Sequence, residues 1–279
     1  YTLYAASSVK ACGTLFHTVI GMDPQIAMYL AAVVIVGYTF LGGFSAVCWT
    51  DFFQGMLVLG SMFIAPIFAA FMLDTSSMSA LPGGYLNPFS SWQDIVSGLA
   101  WGLGYFGMPH IIIRFMSIKS QKDLKKSAKI GITWTLLIVF FATLIGVIGR
   151  LFLGFDESIN ENSLVFIQIV RKIFPGVISG ILLSAVLAAS MSTADSQLLA
   201  ASSAFSSDVY KPVIRKGKAN DKEMMWTGRI VVLGISVAAP IIASNPNAGS
   251  IMALVSNAWG YLWSCLWTCN HAQPLLEAL

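Results

Sequence analysis

Charge is the scarcest commodity in this chain: Asp, Glu, Lys and Arg together make up 10% of 279 residues, against about 25% in soluble domains. That scarcity argues against a water-soluble fold. The four cysteines, Cys12, Cys48, Cys265 and Cys269, follow no disulfide framework and carry no redox inference. His17, His110 and His271 lack metal-ligand spacing, and no phosphate loop, dinucleotide fingerprint or nucleophile triad occurs, so nothing supports an enzyme. The net charge is only +3, and the basic residues fall in two loop clusters rather than along a face that could follow a phosphate backbone, so nucleic acid is not an expected partner. The chain opens at Tyr1 inside apolar sequence, without Met or a charged leader, and a preceding segment is expected.

What the chain has in abundance is apolar sequence, at 56% of residues and a mean hydropathy of +0.75. A bilayer is crossed by roughly 20 apolar residues per helix. Windows of that kind run at 1–19, 24–43, 47–73, 92–116, 130–153, 176–206, 224–244 and from 251 onward. The reading is an all-α polytopic membrane bundle of about eight transmembrane helices. Polar breaks separate the windows, among them Pro82-Gly83-Gly84 and Asn245-Pro246-Asn247.

Short loops rich in Lys and Arg remain cytoplasmic. Arg114, Lys119, Lys122, Lys125, Lys126 and Lys129 mark one such loop, and Lys211, Arg215, Lys216, Lys218 and Lys222 mark another, two spans later. The loop 74–91 has neither residue type, which suits the opposite side.

An ionisable group inside a span is costly and tends to serve a purpose. Asp51 and Asp195 are two of this kind. Asp51 follows Gly42-Gly43 and offers hard oxygen to a small cation, or else snorkels to the interface. The segment SAVLAASMSTADSQLLAASSAFSSD places Ser184, Ala188, Ser192, Ser196 and Ala200 at every fourth position, a face on which another helix can close. The same segment concentrates hydroxyls. Ser192 and Thr193, with the free carbonyl of Ala189 one turn earlier, could give a hard cation such as sodium three oxygen ligands from one helix. Asp195 either draws the ion onward or sits in a wet inner vestibule. In WGLGYFGMPHIIIRFM, three glycines and Pro109 weaken the helix, and Pro109 frees the carbonyl of Tyr105. Broken helices of this kind form binding sites in transporters. Trp101, Tyr105 and Pro109, at i, i+4 and i+8, would present aromatic faces to a small zwitterion, or would pack as an ordinary glycine-rich helix.

Four stretches, FLGGFSAVCWTDFFQG, WGLGYFGMPHIIIRFM, GILLSAVLAASMSTADSQLLAASSAFSSDVYK and VSNAWG, resemble segments of the sodium:solute symporter family in order and spacing, and are most similar to its proline branch. The resemblance covers nearly all of residues 1–260. It implies a partial LeuT-like inverted-repeat bundle in which this chain supplies the third to tenth core helices and the first two are missing. It implies sodium (Na+) bound through the Ala189 carbonyl and the Ser192 and Thr193 hydroxyls, with Asp51 as a functional carboxylate and Asp195 as a second candidate for ion coupling. Substrate positions of the proline branch fall on Tyr4, Trp101, Tyr105 and Pro109. The implied activity is sodium-driven symport of L-proline across a bacterial inner membrane, without covalent chemistry. Pantothenate or another solute of the family, a sensor domain of a signalling protein, and a nonfunctional remnant are the alternatives. The tail 261–279 departs from the family pattern and reads as a frameshift product.

Overall fold

A segment in hydrocarbon must satisfy its backbone hydrogen bonds internally, which helices do. In the computed structural model, which describes residues 1–73, 87, 89, 91–104, 115–153 and 164–261, every regular element is helical. The elements are α1 (Thr2–Ile20), α2 (Pro24–Phe71), α3 (Trp92–Gly104), α4 (Gln121–Leu153), α5 (Val165–Ile173), α6 (Gly176–Ala204) and α7 (Asp221–Ala243). A further helix, α8, covers residues 251–261. Each apolar window of the sequence therefore holds a helix. Among the described residues, Pro24–Phe71, Gln121–Leu153, Gly176–Ile214 and Asp221–Ala243 are long and apolar enough to cross a membrane.

The second and third windows appear as one helical run of 48 residues. Straight, it would extend about 70 Å, more than twice the hydrocarbon thickness. It bends instead at Gly43, where φ 59 and ψ −157 lie in a region that side chains other than glycine's rarely enter. Gly21 ends α1 in the left-handed conformation, its N–H donating to the His17 carbonyl at 2.9 Å.

Two helical features were not evident in the sequence. α5 is a short amphipathic helix with Arg171 and Lys172 in its last turn, in what reads as a loop. The serine-rich helix α6 continues as a π-helix through Phe205–Ile214, and the basic turn that follows leads to Asn220, which caps α7 reciprocally with Glu223. Arg215 pairs with that Glu223 at 2.7 Å on the exposed surface.

The chain divides into two compact units, Tyr1–Thr50 with Gln93–Ser117 and Ser190–Leu279, and Asp51–Trp92 with Ile118–Ala189. In the first, Ala5, Ala6 and Val9 of α1 pack with Met28, Ala239 and Ala243. Small side chains let the backbones approach, and dispersion does the binding that water-driven burial does in soluble proteins. In the second unit, Ala69, Ile145 and Ile169 form the buried cluster, and Phe63 meets Phe141 edge-on at 4.9 Å between centroids.

Candidate functional site

Ala189, Ser192 and Thr193 follow one another over one turn of α6. The helix is continuous through these residues. Ala189 is exposed and belongs to the second compact unit, whereas Ser192 and Thr193 are half-buried and belong to the first. The Ser192 carbonyl accepts from Ser196 Oγ at 2.8 Å, so that the Ser196 hydroxyl is turned back along its own helix. Hydroxyl and carbonyl oxygens are the donor set a small hard cation takes.

Two residues beyond Thr193, Asp195 is completely buried. A carboxylate so placed needs partners. Tyr38, on the first half of α2, donates its hydroxyl to Asp195 Oδ2 at 2.7 Å, and Ser196 Oγ stands 3.4 Å from Oδ1. Around this pair, Ile35, Ala194, Leu198 and Val232 form a buried apolar cluster, against which Tyr38 and Met191 also pack. Asp195 is thus a bonded interior group of the first unit, not a residue of a wet vestibule. Tyr38 drew no attention in the sequence. A lone tyrosine hydroxyl in an apolar span was its only signal.

A hollow of about 510 Å³ opens in the first unit, lined among others by Ser196, Ser202, Ser203 and Ser206 of α6 and its π-helical extension, with Phe44 and Met224 opposite. It begins three residues after Thr193 and runs toward the basic turn. Beside it α7 closes tightly on α6: a Cβ on Gly228 would stand 2.6 Å from Ser202 Oγ. The every-fourth small face of α6 therefore serves packing as well, with Ala188 and Ala200 buried.

Of the substrate candidates, Trp101 on α3 stacks at a tilt on Trp259 of α8, with 4.8 Å between ring centroids. Trp259 belongs to the VSNAWG stretch but was not singled out. Tyr4 lies partly exposed on α1, and its carbonyl accepts from Ser7 Oγ at 2.7 Å. Tyr105 and Pro109 lie outside the described residues, as does the tail from 262 onward. Asp51 is half-buried at the start of the second unit's part of α2.

The profile of the sodium:solute symporter family matches residues 1–269. The chain is 39% identical over 267 residues to the high-affinity proline transporter PutP of Bacillus subtilis, covering 93% of this chain and 56% of that protein. It is 41% identical over 269 residues to a sodium/proline symporter of Staphylococcus aureus, covering 93% and 52%. The chain thus spans about half the length of these curated relatives. Among solved structures, a sodium-coupled sialic acid symporter in a substrate-bound outward-open state superposes with a TM-score of 0.72 at 20% identity, over 86% of this chain and 57% of that one. That likeness establishes the fold.

Proposed function

The chain belongs to the sodium:solute symporter family, and on that premise we propose that it forms part of a sodium-coupled symporter for a small solute, L-proline. The proposal rests chiefly on relatives about 40% identical over nearly the whole chain whose names specify proline. Residues 1–260 would supply the third to tenth core helices, and resequencing through codons 261–279 tests whether that tail is a frameshift product. In this reading the protein is a membrane transporter rather than an enzyme.

In this reading sodium takes oxygen from the Ala189 carbonyl and the Ser192 and Thr193 hydroxyls. The hollow lined by Ser196, Ser203 and Ser206 supports a wetted route from that turn toward the basic, cytoplasmic side. Proline, a zwitterion with a compact ring, would meet the aromatic surface of Trp101, with Tyr4, Tyr105 and Pro109 completing its surroundings. Asp51 would be a functional carboxylate in ion coupling, and Asp195, held by Tyr38, would fix the register of α6 against α2 beside the ion's oxygens. Coupling is reciprocal: an ion that orders the site raises solute affinity by the factor by which solute raises ion affinity. The full-length gene product in proteoliposomes should take up labelled proline, and unlabelled proline should compete better than pantothenate, sialic acid or a sugar. Stronger competition by any of these would reassign the substrate.

A further inference from the structure

A second hollow of about 280 Å³ lies in the first unit beside the bend of α2, lined by Thr39, Phe40, Gly42 and Gly43 from α2, Ser202 from α6 and Arg229 from α7, among others. Its chemistry is unlike that of the serine-lined hollow. Arg229 lies across two aromatic rings, its guanidinium carbon 5.0 Å from the centroid of Phe40 and 5.2 Å from that of Trp226. Those rings themselves meet edge-on. Stacking holds the guanidinium plane while leaving its five N–H donors to the side. No carboxylate pairs with Arg229 among the described residues; the described ion pair on this face joins Arg215 to Glu223.

Thr39 adds an independent observation. It is 2% exposed, it borders the same hollow, and its Oγ1 has no hydrogen-bond partner. A buried hydroxyl left unmatched is costly, and such groups ordinarily find an acceptor. One basic and one hydroxyl donor thus border a single space.

The surroundings say what kind of molecule carries the acceptor. Leu41, Trp226, Ile230 and Leu233, around the hollow on α2 and α7, are all exposed and apolar, a surface suited to acyl chains. Arg229 stands eight residues into α7, about 12 Å along its axis, within reach of the headgroup layer on the side marked by Lys211, Arg215, Lys216, Lys218 and Lys222. That leaflet is where anionic lipids and basic pockets between helices meet.

We propose that this hollow is a binding site for an anionic phospholipid of the cytoplasmic leaflet, its phosphate held by Arg229 and the Thr39 hydroxyl and its acyl chains lying along Leu41 and Ile230. The site does not depend on which solute is carried. It places a lipid at the bend of α2, between helices that also bear Tyr38 and Asp195.

The test uses the full-length gene product in detergent, titrated with phosphatidylglycerol or phosphatidylcholine and read by native mass spectrometry. Wild type should retain phosphatidylglycerol in preference to phosphatidylcholine. Arg229→Ala should weaken phosphatidylglycerol binding about fivefold, the factor one basic side chain contributes at an anionic surface. Arg229→Lys should keep part of the preference, and Lys218→Ala in the exposed turn should keep all of it. Thr39→Val covers the case in which Arg229→Ala does not fold, and should weaken retention as well. An undiminished preference in both Arg229→Ala and Thr39→Val would overturn the site and indicate that another part of the protein fills the hollow. Inorganic phosphate displacing phosphatidylglycerol at equal concentration would reassign it to a free anion and likewise overturn the lipid. Because the readout is lipid retention, it stands or falls apart from proline transport.

Discussion

The hydroxyl of Tyr38 donates to Oδ2 of Asp195 across 2.7 Å, joining α2 to α6 between residues 157 positions apart in the chain. Removing the donor takes a hydrogen bond from a fully buried carboxylate, at a cost of about 1–3 kcal/mol. Tyr38→Phe should therefore lower the thermal midpoint of the purified protein. Asp195→Asn, which keeps an acceptor oxygen, should lower it less. Joined in a double-mutant cycle, the two changes should show a coupling of at least about 0.5 kcal/mol; strict additivity would mean that the bond contributes nothing.

Sodium dependence should respond to the oxygens of one turn of α6. Thr193→Ala and Ser192→Ala should each raise the sodium concentration for half-maximal uptake about tenfold or more, the equivalent of roughly 1.4 kcal/mol, and Thr193→Ser should restore most of the loss. Asp51→Asn should weaken sodium dependence in the same assay. If Thr193→Ser behaves as Thr193→Ala does, the hydroxyl is not a ligand and the effect is one of packing.

The bend of α2 needs glycine. At φ 59 and ψ −157, alanine in place of Gly43 should destabilise by about 1–3 kcal/mol, the usual cost of a side chain in that region. Gly37→Ala in the same helix is the control, since Gly37 has no positive φ and a Cβ there meets nothing within 4 Å. Equal thermal midpoints for wild type and Gly43→Ala would show that the bend is not fixed by this residue.

In the second unit, Gly149 of α4 lets α5 come close. A Cβ there would collide with Val165 and Ile169, so Gly149→Ala should cost about 1–3 kcal/mol through overpacking. Pairing it with Ile169→Ala, which opens the space, should recover part of the loss in a thermal melt.

Much of this was legible in the sequence because hydrocarbon imposes a simple rule. Apolar windows of spanning length had to become helices, and the second of them ends at Gly43, where α2 bends. The hydroxyls of Ser192 and Thr193 were visible for the same reason: polar atoms in an apolar span are conspicuous. Partnerships across the chain were not visible. Nothing local to Tyr38 points to Asp195, nothing local to Trp101 points to Trp259, and the stacking of Arg229 on Phe40 joins positions nearly two hundred residues apart. α5 was missed because its nine residues fall below the length at which helical periodicity stands out from a loop.

The most direct test of sodium-driven proline transport is the initial rate of labelled proline uptake by the full-length gene product in proteoliposomes, with an inward sodium gradient and with the same gradient of potassium. Accumulation above equilibrium under sodium alone, abolished when the gradient is dissipated, is the predicted result. Equal uptake with either cation, or none with proline while another solute accumulates, would contradict it.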